Sequence, residues 1–306
     1  MVHDIITAIA KREKMDVLVY CYRYGELMLD GARYLRISAL DILKYFYLVL
    51  PPKNLIKNLR QYPVRRASVI RLIYCWMLTG YFRHVIKKGG YDVVHIHGAG
   101  VNNEMWIRLC QMIGQKYLVT LHGLNSFSDT IKIEPAARKY ERDFLKRVVR
   151  GEIPITVISS GIKRVIEQTY RAANNPNIYV VLNSFTMDKR SNSESSDTIR
   201  VKYGIPVAAK LVLYVGNISE NKNQVQMARA FRAIDASLQQ ATYVLFVGNY
   251  QEDDGGLRTE VEKCQLDGHL VICGGVDKSQ IPSYYQAADA VAVSYTHLTL
   301  PTICSV

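Results

Sequence analysis

The chain has 306 residues and a hydrophobic content of 49%, which is enough for two domains with real cores and excludes wholesale disorder. Its six cysteines include no CxxC pair, so we expect reduced thiols and a cytosolic protein rather than a disulfide framework. We expect neither a signal peptide nor a transmembrane helix, and the net charge of +12 is carried by residues 1–150.

The first half of the chain predicts helices, then alternating strands and helices. We expect a helix over 2–11, a strand over 16–22, and two or more helices over 38–90 that break at Pro51 and Pro52. The alternation that follows predicts strands at 92–96, 117–121, 155–158 and 178–182 and helices at 103–113, 135–149 and 160–170. Such an alternation indicates a parallel sheet with helices on both faces.

The pattern resumes after a polar stretch, 184–197, that we interpret as a linker. Strands are predicted at 211–215, 243–247, 270–273 and 290–293, with helices at 223–237, 257–266 and 279–287. The fold class is therefore α/β, with two Rossmann-like domains over 1–183 and 198–293. Parallel sheets bind ligands at the carboxyl ends of their strands, so we expect a ligand cleft between the two domains.

The segment 42–91 holds ten Lys and Arg residues and no acid, interleaved with aromatic and aliphatic side chains. This composition is typical of a surface that contacts anionic lipid headgroups. A solvated basic face over ordinary core residues would have the same composition. We do not expect nucleic-acid binding, because no RNP, KH, zinc-finger or helix-turn-helix pattern is present.

A candidate anion site follows the predicted strand 211–215. Gly216 ends that strand, and a short polar loop leads to a helix, whose N-terminal N–H groups can bind an anion. A glycine lets the anion approach the backbone, and Lys222 lies where a cation would neutralise a diphosphate. The alternative is an ordinary exposed lysine at the start of a helix.

Six segments occur in a characteristic order: YDVVHIHG (91–98), YLVTLHG (117–123), ITVISSGIKRVI (155–166), VVLNS (180–184), YVGNISENKNQ (214–224) and IPSYYQAADAVAV (281–293). Together they resemble glycosyltransferase family 4, the retaining enzymes with the GT-B fold. The resemblance implies a GT-B architecture and transfer of a sugar from a UDP- or GDP-sugar to a glycan or lipid-linked acceptor. It implies surface polysaccharide synthesis at the inner face of the cell membrane, with no metal or other cofactor.

The resemblance also implies roles for individual residues. His122 would meet the donor sugar near the reacting centre, and Gly216, Asn217 and Lys222 would bind the donor diphosphate. Five further residues are possible cleft residues: His97, Gly98, Ser160, Asn183 and Gly275. Alternatives stay open. His122 can be a structural hydrogen-bonding residue at a strand end, and His97 can be a core histidine. Ser160 can cap its helix, and Gly275 can belong to a plain tight turn. His95 and His97 should share one face of their strand.

Three departures from the family pattern limit these expectations. Asn217 stands where relatives commonly have an arginine, so a charge and a bidentate fork are absent. Met1 directly precedes the first helix, where relatives have a strand and a glycine-rich loop. Residues 294–306 replace the expected Pro-Ser loop and glutamate pair, and 294–302 are the translation of a sequencing adapter, so we interpret this tail as an artefact.

The parent protein is therefore expected to be a glycosyltransferase that is truncated here at both ends. The alternatives are an inactive fragment, which the missing strand and glutamates favour, or a sugar-nucleotide epimerase of the same fold. The sequence does not specify the sugar, the base or the acceptor.

Overall fold

The computed structural model describes residues 16–17, 33–34, 37–127, 133–183, 196–219, 222–250, 256–264, 268–277 and 279–293. The chain forms two compact units, of which the first ends at Phe185 and the second begins at Thr186. Each unit contains a four-stranded parallel sheet with helices between its strands. The predicted α/β class with two parallel-sheet domains is therefore confirmed.

The first unit begins with short elements and then a run of helices. Two short strands, β1 (Asp16–Val17) and β2 (Arg33–Tyr34), pair in parallel. The helices that follow are α1 (Ala39–Lys44), α2 (Pro52–Gln61) and α3 (Arg66–Gly89), with a 3₁₀ turn at Phe46–Leu48. The break at Pro51 and Pro52 is confirmed, because Pro52 takes the first helical position, where no backbone N–H is needed. The predicted helix over 2–11 lies outside the described residues.

The sheet of the first unit has the strand order β3-β4-β5-β6, all parallel. Its strands are β3 (Val94–His97), β4 (Tyr117–Leu121), β5 (Ile155–Val157) and β6 (Ile178–Val180). The helices between them are α4 (Glu104–Ile113), α5 (Pro135–Val149) and α6 (Ser160–Tyr170). β4, α5 and α6 have the predicted bounds, because each begins or ends at a clear change in apolar pattern.

A buried carboxylate joins α4 to α5. Glu104 is only 2% exposed and accepts hydrogen bonds from Arg108 Nε at 2.8 Å and from Arg147 Nη1 at 2.8 Å. The Tyr140 hydroxyl donates to the same carboxylate at 2.9 Å. Because the charge is paired on several sides, its burial is compensated and the two helices are fixed relative to each other.

The sheet of the second unit has the order β10-β7-β8-β9, again all parallel. Its strands are β7 (Lys210–Val215), β8 (Thr242–Val247), β9 (Leu270–Gly274) and β10 (Ala290–Val291). Its helices are α7 (Ser196–Lys202), α8 (Gln224–Ala233), α9 (Ala236–Gln240), α10 (Leu257–Glu262) and α11 (Ile281–Ala287).

Both faces of this second sheet are buried. Leu213 and Leu245 belong to one apolar cluster, whereas their neighbours Tyr214 and Phe246 belong to the other. Successive side chains of a strand point to opposite faces, so two apolar layers require near-continuous apolar strands. This explains why the runs in β7 and β8 lack polar alternation.

The helix predicted over 223–237 is in fact two helices. α8 ends at Ala233, and Ile234 and Asp235 adopt extended conformations before α9 begins. The side chain of Gln239 donates to the carbonyls of Arg232 at 3.1 Å and Ile234 at 2.8 Å. These bonds satisfy carbonyls that the interruption would otherwise leave without helical partners.

Over the described part of the chain, no helix has both the length and the apolar character needed to span a membrane.

Candidate functional site

Three histidines meet at the carboxyl ends of β3 and β4. His97 is the last residue of β3 and His122 directly follows β4. His97 Nδ1 lies 3.0 Å from His122 Nε2, and the two rings stack with their centroids 5.2 Å apart. The ring of His95 lies 4.3 Å from that of His97, which confirms that the two share one face of β3.

A chain of polar contacts anchors the third histidine. His95 Nε2 lies 2.6 Å from Thr120 Oγ1, and Thr120 Oγ1 lies 2.5 Å from Thr156 Oγ1. These side chains come from three neighbouring strands, β3, β4 and β5. Thr120 and Thr156 are register partners, whereas His95 reaches Thr120 diagonally, since the register partner of Thr120 on β3 is His97.

The histidine cluster is neutral at pH 7. Burial lowers the pKa of His97 to about 4, and the nearby His95 and His122 contribute to this lowering, because a second positive charge would repel the first. Burial also lowers the pKa of His95 and of His122. His122 Nδ1 is buried and has no hydrogen-bond partner among the described residues. The cluster is therefore held together by hydrogen bonds rather than by charge.

The loops that follow these two histidines are held by side chains that the sequence analysis did not single out. Asn103 Nδ2 donates to the carbonyls of His97 at 2.9 Å and of Gly98 at 2.7 Å. Gly98 adopts a left-handed conformation with φ of +86°, which glycine permits without strain. Glu141 on α5 accepts hydrogen bonds from the backbone N–H groups of Asn125 and Ser126 in the loop after His122.

The expectation that Ser160 caps its helix is wrong. Ser159 is the N-cap, with extended backbone and a hydroxyl that accepts from the Ile162 N–H at 3.2 Å. Ser160 is the first helical residue and is exposed. Two adjacent serines look alike in sequence, and only the backbone conformation shows which one accepts the bond. Asn183 is half-buried and lies beyond the end of β6.

In the second unit, the structure brings Gly216 and Lys222 together at the carboxyl end of β7. The side-chain carbons of Lys222 lie 3.9 Å from where a Cβ on Gly216 would be, so the lysine passes over the glycine. The Tyr214 hydroxyl donates to the Lys222 carbonyl, and the Lys222 N–H donates to the Ser219 carbonyl at 3.0 Å. Lys222 lies two residues before α8, so its ammonium group adds to the partial positive charge at that helix N-terminus.

A buried glutamine shapes the loop between β7 and α8. Gln224 Nε2 donates to the carbonyls of Gly216 at 3.4 Å and Asn217 at 3.1 Å, and its Oε1 accepts from the Ser219 N–H at 3.4 Å. Asn217 is exposed, and neither its N–H nor its carboxamide has a partner among the described residues. The carbonyls of the loop are thus directed at Gln224, and Asn217 offers unused hydrogen-bond donors.

Gly248 directly follows the adjacent strand β8, and the sequence analysis did not single it out. A Cβ there would lie 1.9 Å from the Gly216 carbonyl oxygen, so the two strand ends are in direct backbone contact. Gly275 follows the end of β9 and lies against the side chain of Asn249. A Cβ on Gly275 would lie 1.8 Å from Asn249 Oδ1, so only a glycine fits at this position. The signal in the sequence that could have identified Gly248 and Asn249 is the tripeptide VGN, which occurs at 215–217 and again at 247–249.

Within the ranges that the structure describes, no group of three or more His, Cys, Asp or Glu side chains is arranged to hold a metal ion.

Residues 195–301 match the family model described as glycosyl transferases group 1. The chain is 24% identical over 212 residues to a Bacillus subtilis protein named as a putative teichuronic acid biosynthesis glycosyltransferase, TuaC, and this match covers 69% of the chain and 49% of the relative. It is 23% identical over 256 residues to a lipopolysaccharide 1,2-N-acetylglucosaminetransferase of Salmonella typhimurium, covering 75% of the chain and 66% of the relative. The chain thus spans 49% and 66% of the length of these two curated relatives.

Solved structures share the fold at low sequence identity. Sucrose-phosphate synthase from Thermosynechococcus elongatus has a TM-score of 0.59 and 18% identity, and the match covers 77% of this chain and 58% of that one. The Anabaena protein Alr3699/HepE, solved with UDP and glucose, has a TM-score of 0.54 and 16% identity, covering 70% and 56%. The two parallel-sheet units thus share the fold of these solved structures, and residues 195–301 are similar to the glycosyl transferases group 1.

Proposed function

We propose that this chain carries the donor site of a glycosyltransferase that uses a UDP- or GDP-sugar. The observation that carries the proposal is the passage of the Lys222 side chain over Gly216 at the carboxyl end of β7. This edge of a parallel sheet is where α/β proteins bind ligands, and a lysine at a helix N-terminus suits a phosphate-bearing one. The UDP and glucose with which the Anabaena protein was solved support the same ligand class.

The proposed diphosphate site combines one charge with neutral donors. Lys222 supplies the cation, and Asn217 offers its N–H and carboxamide, which have no partner in the part of the chain that the structure describes. Gln224 directs the carbonyls of Gly216 and Asn217 away from the ligand, so their partial negative charge does not oppose an anion. Such preorganised donors stabilise a leaving group without any reorganisation during the reaction.

The proposed reaction breaks the bond between the anomeric carbon and the diphosphate oxygen, which leaves with the electron pair. An acceptor hydroxyl oxygen forms the new bond on the same face of the sugar, so that configuration is retained, and its proton passes to the departing diphosphate oxygen. Retention rests on the resemblance to the family. No metal is proposed, because Lys222, Asn217 and the first amides of α8 meet the developing charge.

We propose that His122 contacts the donor sugar as a neutral hydrogen-bonding group. Its lowered pKa keeps it uncharged at pH 7, and His97 holds its Nε2 at 3.0 Å. Gly98, Ser160 and Asn183 stay possible site residues in the first unit, and Gly275 in the second.

We propose a glycan or lipid-linked acceptor of surface polysaccharide synthesis and a peripheral position on the inner face of the cell membrane. The names of the two curated relatives, which refer to teichuronic acid and lipopolysaccharide, support a glycan or lipid-linked acceptor.

The surface of α1 and of the turn after it supports the membrane contact. Four large apolar side chains are exposed there, near the start of the basic segment 42–91. These are Leu40, Leu43, Phe46 and Tyr47, of which Tyr47 is 78% exposed.

The test is release of nucleoside diphosphate from UDP- and GDP-sugars with lipid-linked and glycan acceptors, for the wild-type protein and Lys222→Ala. Acceptor-dependent release that the substitution abolishes is the expected result. Turnover of donor to an isomeric sugar nucleotide without acceptor would replace the proposal with an epimerase.

A further inference from the structure

The second unit repeats one short motif at the ends of two neighbouring strands. Residues 214–218 (YVGNI) and 246–250 (FVGNY) both read aromatic, Val, Gly, Asn and a large apolar or aromatic residue. β7 and β8 pair so that Tyr214 lies beside Phe246 and Val215 beside Val247. The pairing continues past both strands, since Ile218 and Tyr250 form a further parallel bridge. Asn217 and Asn249 are therefore neighbours at the same edge of the sheet.

Backbone hydrogen bonds fix this alignment. The Gly216 N–H donates to the Val247 carbonyl at 2.8 Å, and the Ile218 N–H donates to the Asn249 carbonyl at 2.8 Å. The Gly248 N–H continues the ladder to the Gly274 carbonyl at 2.9 Å. The positions of both asparagines are thus set by the sheet rather than by a free loop, which reduces the entropy that a ligand would have to remove.

Glycines make room for the second asparagine. A side chain on Gly248 would collide with the Gly216 carbonyl, so the Asn217 and Asn249 backbones approach closely. A Cβ on Gly275 would occupy the position of Asn249 Oδ1, so the third strand end leaves space for this carboxamide. The end of β9 is thereby shaped around the Asn249 carboxamide, whereas the ends of β7 and β8 contact each other through Gly216 and Gly248.

Asn249 is exposed, like Asn217, and its side chain has no hydrogen-bond partner among the described residues. A carboxamide offers two N–H donors, which suit phosphate and ribose oxygens.

We propose that Asn249 is a second donor-binding residue, which together with Asn217 forms a pair of neutral carboxamides that bind the nucleoside diphosphate beside Lys222. The inference rests on the proposed function and adds to it a binding residue on the neighbouring strand end. Two hydrogen-bonding amides from adjacent strands would take the place of a guanidinium fork, which also presents several N–H groups in one plane.

The test measures UDP affinity and thermal midpoint for the full chain and four variants. These are Asn249→Ala, Asn249→Asp, Lys222→Ala and the control Gln240→Ala. Gln240 is an exposed amide at the end of α9, next to the amino end of β8 and so at the opposite edge of the sheet.

Asn249→Ala should weaken UDP binding about ten- to a hundredfold, the loss expected for a hydrogen bond to a charged group. Asn249→Asp has nearly the same shape and fits beside Gly275, but its charge repels phosphate, so it should weaken binding more than alanine does. Neither should change the thermal midpoint, and Gln240→Ala should bind UDP as the wild type does.

The outcomes separate the two proposals. If Lys222→Ala loses UDP while both Asn249 variants bind it like the wild type, the role of Asn249 is overturned and the donor site stands. Equal losses for Asn249→Ala and Asn249→Asp that follow a lowered thermal midpoint would show a structural role and also overturn it. If the wild-type chain binds no UDP, the donor site and the inference that rests on it both fail.

Discussion

His97 and His122 share a hydrogen bond of 3.0 Å between Nδ1 of the first ring and Nε2 of the second. One of the two nitrogens must carry a proton and the other a lone pair, so each ring fixes the tautomer of the other. The free nitrogen of His122, Nδ1, is buried without a described partner. Whether His122 Nδ1 carries a proton therefore depends on His97, which lies on the neighbouring strand.

This pair predicts a pH dependence of stability. The pKa of His97 is about 4 in the fold against an ordinary value of 6.5, so between these pH values the unfolded chain binds a proton that the folded chain does not. Stability should therefore fall as the pH drops from 6.5 toward 4. The lowered pKa values of His95 and His122 act in the same direction. Thermal unfolding between about pH 4.5 and 7.5 measures this, and His97→Gln should show a shallower slope. A midpoint that rises on acidification would contradict the prediction.

Lys222→Met should weaken the binding of UDP by about ten- to a hundredfold, because a charged hydrogen bond to phosphate is lost. The matched control is Lys210→Met, which changes the same residue type at the amino end of β7, where Lys210 pairs with Asp289 at 3.2 Å. Calorimetric titration with UDP measures both. If both variants bind UDP with equal affinity, a lysine at the carboxyl end of β7 has no special role in binding UDP, which would contradict the prediction.

Gly248→Ala should destabilise the second unit by about 1–3 kcal/mol and abolish UDP binding, because the new Cβ would meet the Gly216 carbonyl at 1.9 Å. Gly204→Ala is the control, since Gly204 has φ of +64° but open space around it. It should show only the smaller cost of a left-handed alanine and leave UDP binding intact. Chemical denaturation and UDP titration compare the two, and a Gly248→Ala protein that binds normally would refute the close contact.

The basic segment 42–91 should bind vesicles of anionic lipid, with binding that weakens as salt rises. Replacing Leu40, Leu43, Phe46 and Tyr47 with serine should reduce this binding, because these exposed side chains would enter the interface. The control replaces Val201 and Val207, which are exposed in the second unit. Vesicle flotation measures all three proteins. Equal binding to neutral vesicles at every salt concentration would rule out the electrostatic contact.

Release of nucleoside diphosphate should continue in EDTA, because in the proposed site Lys222, Asn217 and the amides of α8 would meet the charge of the leaving group. The assay compares initial rates with EDTA and with added magnesium or manganese. Strong stimulation by either metal, lost on chelation, would require a different account of leaving-group stabilisation.

The sequence predicted the structure best at positions where the residue type permits few backbone conformations. Branched apolar runs predicted β4 and β7 closely, and Pro51 and Pro52 predicted the break between helices. Gly216 and Lys222 were predicted as neighbours because a strand, a tight loop and a helix bring them together. Backbone detail was less accessible, as the interruption at Ile234 shows, since apolar residues continue at helical spacing across it.

Contacts between distant segments could not be read from the sequence. The bond between His97 and His122 depends on the register of two strands, and the burial of Gln224 depends on where its helix begins. Asn249 was overlooked although its VGN motif repeats that of Asn217, because a repeat of three residues acquires meaning only once the strands are known to be adjacent.

The contact between Gly248 and the Gly216 carbonyl also limits how this protein can diverge. A change at either strand end alters the space available to the other, so substitutions there are expected to depend on each other. Redesign of donor preference that changes only the first loop would leave the second in a shape fitted to its former neighbour. Libraries that vary both loops together are therefore the more promising route to new specificities.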